Sequence, residues 1–129
     1  MEAFDALNKC IAINGYYKAY FARAMLHHSM GNLKPALADI EHVLAVQPQH
    51  ARAWFLKGNC MEQQGNMNVA LDNYTKAIAY DSTEPLFYVR RGIIFSKIND
   101  RQGACRDFQN ALRLGYKDTN GMIGKLCSN

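Results

Sequence analysis

The side chains that could do chemistry are few, and their spacing works against each obvious kind. His27 and His28 are adjacent, and consecutive residues of a helix point ~100° apart, so the two rings cannot share one ion. Neither has an Asp, Glu or Cys three or four residues further on to complete a ligand set. His27 reads as an interior, hydrogen-bonded ring and His28 as turning the other way; His42 and His50 read as solvated, and no metal is expected. Cys10, Cys60, Cys105 and Cys127 contain no C-x-x-C pair and no regular interval, so neither a zinc site nor a disulfide framework is signalled. Buried free thiols are the default reading. Cys105 and Cys127 are the pair that a helix start and a cap packed on it could bring together. No glycine-rich phosphate loop, G-x-S-x-G or H-E-x-x-H occurs, and the acids are scattered singly. No catalytic residue and no cofactor is therefore expected, and the chain does not read as an enzyme.

Composition sets the frame for the elements that hold these side chains. With 129 residues, 49% hydrophobic and 20% charged, the chain reads as one folded domain. No run of about 18 apolar residues is present to span a bilayer. The opening MEAFDALNKC carries Glu2 and Asp5 and lacks the basic region and apolar core of a secretory signal. The expectation is a cytoplasmic protein or a piece of something longer.

The chain is organised by a period of 34. Tyr20, Trp54 and Tyr88 share one column of large aromatics, and Ala24, Gly58 and Gly92 one of small residues. Ala36, Ala70 and Ala104 follow, then large Ile40, Tyr74 and Phe108, then small Val43, Ala77 and Ala111. Close contact between two antiparallel helices needs such small residues at the crossing and large ones in the notch. The pattern predicts helix pairs at 17–30 with 33–46, 51–64 with 67–80, and 85–98 with 101–114. Gly31, Gly65 and Asn99 stand where a left-handed residue would end the first helix of each pair. Pro35 falls in a first turn, where its missing N–H is harmless. Trp54 and the other column aromatics are expected in the core, with Trp54 largely buried.

These columns resemble the tetratricopeptide repeat (TPR) family, most closely in the copy carrying Trp54, Gly58, Ala70, Tyr74 and Ala77. Lys57 and Ser82 stand where the family usually has Leu and Pro. The resemblance covers residues 17–118 and implies an all-α, right-handed superhelical solenoid of antiparallel helix pairs, a single domain over 1–129. Its parts would be a half repeat at 1–16, repeats at 17–50, 51–84 and 85–118, and a capping segment at 119–129; the run GACRDFQNALRLGYKD followed by near-terminal Cys127 resembles the closing segment of many bacterial members. The half repeat leaves one side of residues 3–14 open. Either a larger array or a homodimer could cover it, with Phe4 and Leu7 as contact residues.

The resemblance also implies a function, noncatalytic binding of a protein or peptide in the concave groove lined by the first helix of each pair. The residues it places there include Phe21, Met25 and His28 from the first copy, Arg52, Phe55, Asn59 and Glu62 from the second, and Val89, Ile93 and Lys97 from the third. Phe21, Met25, Phe55, Val89 and Ile93 would make an apolar floor. Chaperone-binding members hold carboxylates with a Lys, Asn, Asn, Lys, Arg set; here those positions carry Phe21, Met25, Leu56, Leu86 and Arg90, so a hydrophobic or amphipathic segment is the better candidate.

Two alternatives stand beside this reading, one from charge and one from the open side of residues 3–14. Residues 1–84 hold seven Lys and Arg against eight Asp and Glu, whereas 85–129 hold eight against three. Arg90, Arg91, Lys97, Arg101, Arg106 and Arg113 could thus steer an acidic partner, with nucleic acid disfavoured because the cations form no stripe. A self-associating structural module is the other alternative.

Overall fold

The computed structural model describes residues 2–118 and 121–128. It contains α1 (Glu2–Asn14), α2 (Tyr17–Ser29), α3 (Leu33–Val46), α4 (Ala51–Gln63), α5 (Met67–Tyr80), α6 (Pro85–Lys97), α7 (Arg101–Arg113) and α8 (Met122–Cys127). The packing is closest within α2/α3, α4/α5 and α6/α7, while α1 meets α2, α3 meets α4, α5 meets α6 and α7 meets α8. The first helix of each pair ends one residue sooner than predicted. The left-handed residue then follows, with φ of 78° at Gly31, 80° at Gly65 and 66° at Asn99. Residue 1 of the predicted half repeat, and residues 119, 120 and 129 of the predicted cap, lie outside the described residues.

The crossings obey a volume rule. A Cβ on Gly58 would come within 2.5 Å of the Tyr74 ring, and one on Gly92 within 2.6 Å of the Phe108 ring. In the first pair the notch residue is Ile40, and the small residue opposite in the same core cluster is Ala24. Where the notch holds an aromatic ring, the crossing has room only for glycine.

A second set of columns fastens each pair. Arg23 and Arg91 are 68 residues apart, as are Asp39 and Asp107. Arg23 grips Asp39 through two bonds of 2.8 and 2.7 Å, and Arg91 grips Asp107 through two of 2.7 Å. Both aspartates are buried. The middle copy has Lys57 and Asn73 instead. Lys57 turns to Glu41 on the preceding helix at 3.0 Å. All three cations also lie over the aromatic ring three residues earlier, namely Tyr20, Trp54 and Tyr88.

Several expectations need correction. Trp54 is half-buried, with its indole N–H donating to the Pro48 carbonyl and Lys57 and Lys76 over its ring. Tyr20 and Tyr88 are likewise half-buried, because this column closes the rim of each crossing and must leave its cation in reach of water. Tyr74 is the largest fully buried side chain. His50 is half-buried rather than solvated, for its Nδ1 caps α4 by accepting the Ala53 N–H at 3.0 Å. His27 packs on Phe4 with ring centroids 4.8 Å apart, and its Nδ1 has no hydrogen-bond partner among the described residues. Phe4 therefore faces α2, and it is Ile13, 81% exposed, that stands on the open side of α1.

Cys105 and Cys127 form a disulfide tying α8 to α7. Buried Cys60 keeps the expected thiol character, and desolvation pushes its pKa up to about 11. Among the described residues no helix is long and apolar enough to cross a membrane.

Candidate binding face

The face built by α2, α4 and α6 has a charged centre. Glu62 sits on the last turn of α4, one turn past Gly58, and the Tyr74 ring from α5 lies across that glycine. The Tyr74 hydroxyl thereby comes 2.6 Å from Asn59 Oδ1 and 2.8 Å from Glu62 Oε1, and its single proton serves one of them at a time. Arg90 donates to Glu62 Oε1 at 2.9 Å and Lys97 to Oε2 at 3.1 Å, both from α6. His28 on α2 closes the ring of residues, its Nε2 3.0 Å from Gln63 Nε2.

The electrostatics follow from this crowding. Burial alone would raise the Glu62 pKa, but the Tyr74 hydroxyl, Lys97 and Arg90 together hold it below its ordinary value. Burial, with Glu62 beside it, pushes the Tyr74 phenol upward. The His28 imidazole is lowered by burial first and by Arg90 second, which favours the neutral ring. One carboxylate thus faces two cations. His28, Asn59, Glu62, Gln63, Arg90 and Lys97 line an open cavity of 510 Å³.

Of the residues expected in the groove, His28, Asn59, Glu62 and Lys97 come together here. Phe21 does not, because it packs on the His50 ring at 4.7 Å. Phe55 is wedged between Tyr74 and Phe87, with centroids 5.5 and 4.7 Å away, and Val89 is buried at 8% exposure. This column fills the seam between successive pairs instead of facing outward. Met25 and Arg52 are exposed. The expected apolar floor is therefore polar at its centre. Its apolar part has moved to the C-terminal end, where Ile93 and Lys97 help line a second cavity of 430 Å³ between α6, α7 and α8.

The role of Tyr74 was missed because its column is otherwise apolar, with Ile40 and Phe108 at the equivalent places. A hydroxyl in such a column is the legible signal, since a buried phenol needs a partner. The basic group of the last repeat is largely occupied within the chain. Arg90 and Lys97 hold Glu62, Arg91 holds Asp107, and Arg101 donates to the carbonyls of Leu126 and Ser128. Among the described residues no group of three or more His, Cys, Asp or Glu could hold a metal ion.

Known proteins share this architecture. A TPR repeat-containing protein of Rhizobium etli is 34% identical over 70 residues, covering 54% of this chain and 34% of its own length. Human tetratricopeptide repeat protein 13 is 27% identical over 114 residues, covering 88% of this chain and 13% of its own. The chain thus spans about a third or less of the length of these relatives. Among solved structures, MamA superposes with a TM-score of 0.79 at 19% identity, over 90% of this chain and 68% of that one. The Yersinia enterocolitica type III secretion chaperone SycD, in complex with a peptide of the translocator YopD, superposes with a TM-score of 0.75 at 14% identity, over 84% of this chain and 87% of that one. Identities this low show the fold alone. The family model for the tetratricopeptide repeat matches residues 17–50 and 51–84, more than half of the chain, so this protein belongs to the tetratricopeptide repeat family.

Proposed function

We propose that this chain is a noncatalytic protein-binding module that takes a peptide or partner segment along the face of α2, α4 and α6. The observation that carries the reading is the convergence of His28, Asn59, Glu62, Gln63, Arg90 and Lys97, from three helices, on one open cavity. Glu62, Arg90 and Lys97 also tie α4 to α6, and the extended surfaces of stacked helix pairs are where such folds receive partners. The peptide-bound SycD shows that a related fold accepts a peptide.

A quantitative pull-down from cells, with far-UV circular dichroism on each variant, tests the reading. Met25→Asp and Lys97→Ala should each reduce capture of the main partner at least threefold, because Lys97 lines the cavity and exposed Met25 stands on α2 three residues before His28. Arg106→Glu and Arg113→Glu, on exposed positions of α7, should leave it unchanged. The reverse ranking would move the working surface to the basic last pair.

Self-association is a second reading, favoured by Ile13 on the unpaired side of α1. If it holds, light scattering will report a dimer that Ile13→Glu disperses. A monomer at every concentration removes it.

A further inference from the structure

The α2/α4 seam joins the first helix pair to the second, and at each end of α4 a histidine ring nitrogen accepts a hydrogen bond there. At the start of α4, the Nδ1 of His50 takes the Ala53 N–H at 3.0 Å. An accepting Nδ1 carries no proton, so the neutral ring keeps its proton on Nε2. The same ring is seated on α2, with centroids 4.7 Å from Phe21 and 6.2 Å from Tyr17. At the far end, the Nε2 of His28 on α2 lies 3.0 Å from the Nε2 of Gln63 on α4. An amide nitrogen can only donate, so the imidazole is again the acceptor.

Tyr16 and Glu84 precede α2 and α6 as His50 precedes α4, but neither makes a side-chain cap bond, and α6 begins on Pro85 instead. Asn66 and Asp100 cap α5 and α7 by accepting from Val69 and Gly103. Of the three capping side chains, the imidazole is the type whose ordinary charge change falls between pH 5 and 8. Protonation gives it two N–H donors and no acceptor, so no rotation of the ring restores the bond to Ala53. Gln63, by contrast, has a carbonyl to turn toward a protonated His28. Tyr17 and Phe21 face His50 from α2, and Arg52 faces it from α4. Burial lowers the His50 pKa from its ordinary 6.5, its own carbonyl pulls the other way, and Arg52 lowers it further. Against the ring face that Phe21 offers a cation stand the lost cap, the lost water and Arg52.

We propose that His50 is a proton-operated fastening: neutral, it caps α4 and seats it on α2; protonated, it frees the first turn of α4 and opens the seam from that end, with the His28–Gln63 contact as pivot. The folded pKa is the lowered one, so the contribution of the cap is complete above pH 6.5 and is lost as pH falls through the lower folded value. The tilt of α4 against α2 then changes where both helices line the polar cavity.

The test is nuclear magnetic resonance on the full chain between about pH 7.5 and pH 5, with imidazole nitrogen shifts reporting tautomer and titration. His50 should show the Nε2–H tautomer and titrate below 6.5. The Ala53 amide proton should move upfield with the same midpoint. Nuclear Overhauser contacts between Phe21 and His50 should weaken with it, while His28 keeps its contact with Gln63. The comparison variant is His50→Asn, since an asparagine caps a helix start without titrating. Over the same range the parent should lose about 3–5 °C more of its melting temperature than His50→Asn, the effect of one cap in a chain of this size. An Nδ1–H tautomer, a His50 midpoint at or above 6.5, or an Ala53 amide that ignores the titration overturns the proposal, and all three are read on the parent even if the variant does not fold. Equal melting losses in the parent and a folded His50→Asn overturn it as well. Parting of both ends of the seam together overturns the pivot at His28.

Discussion

The outer helix pairs and the middle pair hold their crossings by different means. In α2/α3 and α6/α7, a buried aspartate is clasped by an arginine through two short bonds. In α4/α5 the equivalent residues are Lys57 and Asn73, and the lysine leaves the crossing for Glu41, whose side chain is 59% exposed. Asn73 is buried, with its Nδ2 unpartnered among the described residues. The middle pair puts its polar fastening elsewhere, on the Tyr74 hydroxyl and Glu62, and from there on Arg90 and Lys97 of the next pair. What this teaches is that the same columns can either lock a pair internally or link it to its neighbour, and that the second choice places charge on the face of α2, α4 and α6.

The sharpest way to break that comparison is to delete the cation from each kind of pair. Arg91→Ala strands the Asp107 carboxylate in the core and should cost ~3–5 kcal/mol, the range for an uncompensated buried charge. Lys57→Ala removes a bridge to an exposed acid and should cost ~0–1 kcal/mol. Urea unfolding followed by circular dichroism measures both. Equal losses would mean the two kinds of pair are fastened alike.

A smaller effect is expected at the crossing itself. Gly58→Ala drives a methyl into the Tyr74 ring and should cost ~1–3 kcal/mol. Adding Tyr74→Ile, which copies the Ala24 and Ile40 arrangement of the first pair, should return part of that loss. Strict additivity of the two changes in a thermal melt would sever the volume rule.

Transplanting the clasp sharpens the comparison further. Asn73→Asp alone should cost ~1–3 kcal/mol, because the new charge is desolvated without a forked partner. Lys57→Arg in the same chain should recover at least half, since only a guanidinium offers two parallel donors. No recovery would show that the middle crossing cannot accommodate the outer geometry.

The mildest effect is on pH response. The Glu62 pKa is held below its ordinary 4.5 in the folded chain, so its contribution is present above 4.5 and is lost as pH falls through the lower folded value. Melting temperatures between about pH 6 and pH 3 should therefore fall less steeply for Glu62→Gln than for the parent. Identical acid limbs would mean that Glu62 is not tied to Arg90 and Lys97 in solution.

By itself the sequence determined the repeat, the helix bounds to within a residue, and the left-handed stops at Gly31, Gly65 and Asn99, because these follow from local periodicity and backbone sterics. The small residues at the crossings were equally legible, since volume must be conserved wherever two helices touch. The forked Arg and Asp pairs were there to be read at a spacing of 16, repeated after 68, yet Lys57 looked like a lapse from a Leu position until its column was seen to carry cations. The tertiary structure alone decided which aromatics are core. Trp54 went to the rim and Tyr74 to the centre, because depth depends on how neighbouring pairs stack. It alone joined Glu62 to Arg90 and Lys97, 28 and 35 residues away. It likewise drew Cys127 onto Cys105 and opened an apolar cavity beneath α8. Those contacts lie between helices, and side-chain reach across a crossing is set by the angle and offset of packing, which no periodicity along the chain encodes.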